Sequence, residues 1–216
     1  MVQDLLTSEE LLQIQQAVEQ AEVTSGGEIV PVLARQSSFY ETAFWRGGFL
    51  MALMTGLVLT LLYLTTETLL WLPPYLWLLI VLMIGTLTAL ALQLVPSLKR
   101  LFISQATREA RVLDQAKDMY YDHGVSFTEQ RTGILIYVSF FERRAVILAD
   151  AGINELVPAH SWEDVVQQLT RGFREGQRAA SIAEAISACG RLLEESGVHK
   201  AVEDGNELSD EVRFNK

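Results

Sequence analysis

Two long apolar runs constrain this chain more than any other feature of its sequence. Residues 47–64 contain no charged side chain, and residues 75–95 form a second uncharged run. At about 1.5 Å per residue, each run crosses most or all of a hydrocarbon core that is roughly 30 Å thick. The alternative is a buried pair of core helices, but a chain of 216 residues leaves too small a soluble domain to enclose both. We therefore predict a transmembrane hairpin of two helices within residues 47–96.

The basic residues that flank these runs predict an orientation. Arg35 and Arg46 precede the first run and Lys99 and Arg100 follow the second, whereas the connecting segment around Glu67 has no Lys or Arg. The positive-inside rule then places both termini in the cytoplasm. The polar, acidic start of the sequence does not have the pattern of a signal peptide. We expect a multi-pass protein of the bacterial inner (cytoplasmic) membrane, with the lipid bilayer as one of its partners.

The net charge, the absence of charged residues in the spans and the cysteine content narrow the possible partners, activities and compartment of the protein. The formal net charge of -10 argues against a nucleic-acid partner, because phosphate binding needs a basic surface. The two spans carry no Asp, Glu, Lys, Arg or His, so an ion path or a proton relay is not indicated. The single cysteine, Cys189, lies at helical spacing among apolar residues. This position predicts a buried structural thiol in a reducing compartment.

The polar part of the chain predicts an α/β domain that the hairpin interrupts. Residues 1–46 provide a helix and a strand near residues 29–33, and residues 97–199 provide further helices and strands near 134–138 and 145–149. Because one strand alone is not stable, we expect the strand before the hairpin to pair with those after it. The tail, residues 200–216, is polar and without periodicity, and is predicted to be disordered.

Several short motifs carry a resemblance to a known family. They are residues 24–30 (TSGGEIV), residues 131–136 (RTGILI), Glu142 and Arg143, residues 146–153 (VILADAGI), Trp162, and residues 169–176 (LTRGFREG). In this order and spacing the chain resembles the TPM domain family, particularly its bacterial membrane-bound branch. The resemblance covers most of the chain outside the two spans.

The resemblance implies both a fold and two kinds of activity. The fold would be an αβα layered domain on a small mixed sheet. Phosphatase activity has been proposed for plant members of the family, divalent cation binding is suggested for others, and plastid members are associated with photosystem maintenance. Many relatives have an Asp after the glycine that corresponds to Gly176, whereas this chain has Gln177. That departure puts cation binding at this position in doubt.

A candidate site follows from the predicted strand order. If the chain turns near Phe141, Arg131 at the start of one strand lies beside Asp150 at the end of its partner, and a parallel first strand brings Glu28 to the same end. Arg131 and Asp150 would then be catalytic, and Glu28 and Asp150 would bind a divalent cation such as calcium or magnesium. The alternative for Arg131 and Asp150 is a structural salt bridge. Separately, Glu142 and Arg143 are predicted to form a charged turn that is exposed to solvent.

Two functions remain open from the sequence. The first is a membrane-anchored cytoplasmic module that binds or stabilises a protein partner or complex at the membrane. The second is a divalent-cation-dependent phosphatase that acts near the membrane surface. An enzyme would need Arg131, Asp150 and Glu28 open to solvent in a concave site. A binding module would pair these groups with one another and expose an apolar patch.

Overall fold

The computed structural model describes residues 5–65, 73–198 and 207–215. The chain divides into an α/β unit, residues 1–38 and 109–216, and a helical unit, residues 39–108. The helices are α1 Ser8–Thr24, α2 Glu41–Thr65, α3 Pro74–Leu94, α4 Pro96–Leu101, α5 Gln105–Asp122, α6 Ala151–Asn154, α7 Ala159–Glu175 and α8 Arg178–Glu195. The strands are β1 Glu28–Ala34, β2 Gly133–Ser139, β3 Arg144–Ala149 and β4 Arg213–Asn215. Glu67, whose position was predicted above, lies outside the described residues.

Helices α2 and α3 of the helical unit are long and apolar enough to cross a membrane. Only 11% of the most apolar window of each helix is buried within the chain, which argues against a pair of core helices. Helix α3 begins with Pro74 after Pro73, as expected for prolines that fix the backbone without removing a hydrogen-bond donor from the helix.

Small residues allow α2 and α3 to approach each other closely. A Cβ atom added to Gly48 would lie 2.9 Å from the carbonyl oxygen of Gly85 and 3.0 Å from the Cβ atom of Ala89. A Cβ atom added to Gly85 would lie 3.0 Å from that of Ala52. The glycines therefore allow close contact between the two helices.

The α/β unit is built on a mixed sheet of four strands in the order β3-β2-β1-β4. Strand β1 runs parallel to β2 along its whole length, from the pair Glu28–Gly133 to the pair Ala34–Ser139, and β3 runs antiparallel to β2. The predicted pairing of the strand before the apolar helices with those after them is confirmed, as is the α/β class. The backbone nitrogen of Pro31 faces the side of β1 on which β4 pairs only with residues 32–34. The hydrogen-bond donor that proline lacks is therefore hardly missed at this position.

Helices cover both faces of the sheet, which explains why β1 and β2 are buried along their entire lengths. One face carries Ile29, Ile134 and Ile136 and packs against the main apolar cluster, to which α1, α7 and α8 contribute. The other face packs Val32 and Leu135 against α5. Near-continuous apolar strands are typical of sheets that are covered on both faces. Cys189 lies in the main cluster, and burial raises the pKa of its thiol to about 12, so the predicted structural role is supported.

Glu142 differs from the prediction of a solvated turn. Its residue is only 2% exposed, and its carboxylate accepts hydrogen bonds from the Ser37 backbone N–H at 3.0 Å and from the Ser139 hydroxyl. Beside it, the hydroxyls of Ser37 and Tyr137 lie 3.1 Å apart. This polar network holds the chain at Ser37, the last part of the α/β unit before the helical unit begins at Phe39.

The C-terminal residues also differ from the prediction. Residues 213–215, expected within a disordered tail, form the edge strand β4 and pair in parallel with residues 32–34. The physical reason is that β1 would otherwise leave its backbone donors and acceptors open on that side, and a short extended segment satisfies them whatever its side chains are.

Candidate functional site

The sheet brings the predicted site residues to one end. Glu28 at the start of β1 lies opposite Gly133 at the start of β2. The backbone N–H of Asp150, the residue after β3, donates to the Gly133 carbonyl at 2.9 Å. Arg131 lies just before β2. The parallel and antiparallel pairings therefore place the three predicted residues on neighbouring strand ends, as the sequence argument required.

Asp150 is held mainly by backbone and by Arg131. It is 6% exposed and caps α6, because its Oδ1 accepts the Ala151 N–H at 2.6 Å. Its Oδ2 lies 3.6 Å from Nη1 of Arg131, and the same Nη1 donates to the Ser126 carbonyl at 2.6 Å. The Arg131 side chain remains 58% exposed. Asp150 is thus a buried cap, whereas the guanidinium beside it is open to solvent.

The backbone at Arg131 is unusual. Its φ of 58° is in the left-handed region that favours glycine. The conformation is stabilised on both sides, because Arg131 N–H donates to the Thr128 carbonyl and Thr132 N–H donates to the Thr128 hydroxyl. Nearby, a Cβ atom added to Gly152 would lie 2.8 Å from the Arg131 carbonyl oxygen. The loop is therefore fitted closely against the start of α6.

Tyr120 of α5 is affected by the charges of this pair. Burial, and after it the charge of the Asp150 carboxylate, raise the pKa of Tyr120 to about 12, while the charge of Arg131 opposes the shift. Its phenol group therefore stays protonated across the ordinary pH range. Helical spacing alone gives no signal for this effect, because α5 and Asp150 come together only in the folded chain.

The Glu28 carboxylate is hydrogen-bonded to the C-terminal segment. It is 9% exposed, and its carboxylate accepts the backbone N–H groups of Glu207 at 3.3 Å and of Leu208 at 3.2 Å. Among the residues that the structure describes, no group of three or more His, Cys, Asp or Glu side chains is arranged to hold a metal ion. Glu28 fits a resident cation poorly, since its carboxylate already accepts two backbone N–H groups. Asp150 Oδ1 accepts one backbone N–H, whereas its Oδ2 is buried without a hydrogen-bond partner.

A second buried carboxyl group, Glu22 near the end of α1, lies beside Glu28 and was not foreseen. Its Oε1 accepts the Ile29 N–H at 2.8 Å. Burial raises the pKa of Glu22 to about 8, and the charges of Glu28 and Asp210 add to that effect, while the bond from Ile29 opposes it. Nothing in the helical pattern of α1 distinguished Glu22 from a solvated glutamate.

Large exposed side chains lie on the segments next to the Arg131–Asp150 pair. We call Tyr121, Phe127, Arg131 and Leu156 the strand-end patch. Phe127 is 78% exposed and follows Ser126, whose carbonyl binds Arg131. Tyr121 is 64% exposed, and its ring lies edge-on to that of Tyr120 at 5.5 Å. Leu156 is 53% exposed and belongs to the turn that Asp150 begins.

The comparisons with known proteins agree with this fold. The model of the TPM domain family matches residues 88–192, a stretch that begins inside α3 and ends inside α8. The NMR structure of BA42 protein from the psychrophilic bacterium Bizionia argentinensis is similar in fold, with a TM-score of 0.59 and 19% sequence identity. The similarity covers 97% of this chain and 95% of that one. A search of curated proteins gave no match.

Proposed function

We propose that this chain, which matches the TPM domain model over residues 88–192, is a membrane-anchored module that binds or stabilises a protein partner at the bilayer surface. The observation that carries the proposal is the contrast at the strand ends. Asp150 and Glu28 are buried, whereas the aromatic, aliphatic and arginine side chains of the strand-end patch are exposed. Tyrosine and arginine dominate binding energy at protein interfaces. Reactive carboxylates open to solvent would instead support an enzyme.

The anchor in this proposal is the pair of apolar helices. Helices α2 and α3 pack with the start of one against the end of the other, so Arg46 and Lys99 lie at the same end of the pair. By the positive-inside rule, this end would face the cytoplasm of a bacterium and both termini would be cytoplasmic. The patch would then meet cytoplasmic partners, or cytoplasmic parts of membrane complexes.

Site-specific crosslinking tests the proposal in the native membrane. A photoreactive side chain at Phe127 of the full-length protein is expected to yield one defined crosslinked product. The same group at Val23 of α1, which is 72% exposed but is not part of the patch, is the matched control. Arg131→Ala should weaken the Phe127 product by about tenfold, because a central interface arginine contributes roughly 1–3 kcal/mol.

Two results would argue against the binding function. One is a set of products at Phe127 that matches the set at Val23, which would indicate random collisions. The other is a Phe127 product that Arg131→Ala leaves unchanged at equal protein abundance. A defined product that is lost in Arg131→Ala supports the patch as the binding surface.

The second candidate is a divalent-cation-dependent phosphatase, which one observation favours. The exposed guanidinium of Arg131 beside a buried carboxylate is suited to binding a phosphate group. We expect its test, hydrolysis of a generic phosphomonoester by detergent-purified full-length protein with and without Mg²⁺ or Ca²⁺, to show no turnover above background. Asp164→Asn on the exposed face of α7 controls for Asp150→Asn. Cation-dependent turnover that is lost only in Asp150→Asn would make the enzyme the leading account.

A further inference from the structure

The charge of the helical unit differs from that of the rest of the chain. Residues 39–108 contain four basic and two acidic residues, although the whole chain has 17 basic and 27 acidic residues. Arg46 lies near the start of α2, and Lys99 and Arg100 lie in α4, directly after the second apolar helix. Positive charge is therefore concentrated beside the two apolar helices of an otherwise acidic protein.

Helix α4 has two chemically different sides. A helix turns by about 100° per residue, so Leu98 and Leu101 lie on one side of α4 and Lys99 and Arg100 lie on the opposite side. None of the six residues of α4 is buried, and both leucines are exposed. Such a helix is suited to lie in the membrane interface, with its leucines toward the acyl chains and its basic residues toward the headgroups.

Two contacts place α4 beside the start of α2. The Lys99 ammonium group donates a hydrogen bond to the Phe39 carbonyl. A Cβ atom added to Gly47 would lie 3.4 Å from ring atoms of Phe102, the residue that caps the end of α4. Arg46, next to that glycine, is exposed. The basic residues of α2 and α4 therefore share one end of the helix pair.

Exposed aromatic rings and an unsatisfied donor accompany these charges. Phe39 and Trp45 are exposed, and aromatic side chains are enriched where a membrane meets water. Arg108 lies in the first turn of α5, six residues after Phe102, and its Nε atom is buried without a hydrogen-bond partner among the residues that the structure describes. Guanidinium N–H groups bind phosphate oxygens well. An unsatisfied guanidinium donor here points to an acceptor from outside the protein.

We propose that α4 lies in the membrane interface and that Arg46, Lys99 and Arg100 bind the phosphate headgroup of an anionic phospholipid. The inference rests on the membrane anchor proposed above and adds the class of lipid that the anchor selects. Basic side chains near an anionic headgroup gain an attraction that a zwitterionic headgroup, which carries its own positive group, does not provide. The acidic α/β unit repels an anionic surface, so the attraction is confined to this local site.

Native mass spectrometry of the full-length protein in detergent tests the site. The protein is incubated with equal amounts of a phosphatidylglycerol and a phosphatidylcholine that have the same acyl chains. Phosphatidylglycerol is expected to be retained in preference by about tenfold, because several basic residues act on one headgroup. Lys99→Gln combined with Arg100→Gln should abolish this preference. Arg46→Gln, at an exposed position outside α4, should lower it by about threefold and does not depend on the folding of α4.

The matched control removes the same charge elsewhere. Arg171→Gln combined with Arg174→Gln changes two exposed positions of α7 and should keep the full preference. Equal retention of the two lipids by the unmodified chain would overturn the proposal, as would a preference that persists in both the α4 and the Arg46 variants.

Alkaline carbonate washing of the membranes that contain the protein separates this inference from the proposed function. A protein that is washed off has no membrane anchor, which would contradict both proposals. A protein that stays in the membrane but shows no preference between the two lipids would contradict the headgroup site alone.

Discussion

Replacing Glu142 by alanine is expected to lower the free energy of unfolding of the α/β unit by about 3 kcal/mol. The carboxylate is buried and receives both the Ser37 N–H and the Ser139 hydroxyl. Alanine would leave both donors buried without a partner, and each unsatisfied group costs roughly 1–3 kcal/mol. Denaturant-dependent pulse proteolysis of the full-length protein in detergent measures the loss.

Two further variants make the Glu142 result specific. Glu142→Gln keeps one acceptor oxygen for Ser37, so it should cost only about 1 kcal/mol. Glu163→Ala removes an exposed glutamate from α7 and should change stability by less than about 0.5 kcal/mol. If Glu142→Ala were no more harmful than Glu163→Ala, the network around Ser37 would contribute nothing to stability.

Gly133→Ala is expected to be at least as harmful, with a loss of about 3 kcal/mol or more. An added Cβ atom would lie 2.2 Å from the Val125 carbonyl oxygen and 2.8 Å from its Cγ1 atom. The Val125 backbone cannot rotate out of the way as a flexible side chain could. The turn Val125–Phe127 would therefore have to shift. Because Phe127 belongs to the strand-end patch, this substitution should also weaken the Phe127 crosslink.

The matched control for Gly133→Ala is another glycine of a regular element. An added Cβ atom at Gly56 of α2 would meet only Val81 Cγ2, at 3.9 Å, which is an ordinary contact. Gly56→Ala should therefore leave the thermal unfolding of the protein in detergent unchanged or slightly raise its midpoint, since alanine favours helix. A Gly133→Ala protein as stable as Gly56→Ala would show that the turn is not fixed against β2.

The features that the sequence predicted correctly are those with a periodic or local signal. The apolar strand near residues 134–138 indicated burial on both faces, and β2 is buried throughout. Residues 7–10 (TSEE) have the local sequence pattern of a capping box, and both hydrogen bonds of that box are present. The sequence also predicted which strand ends lie together, because two parallel strands and one hairpin leave few ways to arrange Arg131, Asp150 and Glu28.

The features that the sequence did not predict depend on partners far away along the chain. Glu142 was interpreted as a solvated turn residue, but its partner Ser37 is 105 residues distant. Glu28 was predicted to bind a cation, whereas its carboxylate accepts hydrogen bonds from the backbone N–H groups of Glu207 and Leu208. The burial of Glu22 likewise depends on the fold as a whole. A charged residue gives no local sign of whether its neighbours will be water or protein.

The pairing of β1 with β2 also has a consequence for how the chain is made. About a hundred residues separate Ala34 from Gly133, and closing so long a loop is costly and slow when the chain between is unstructured. Helices α2 and α3 pack against each other through local contacts, so they form early and shorten that loop. During synthesis, β1 therefore stays unpaired until the two apolar helices have formed and β2 has left the ribosome.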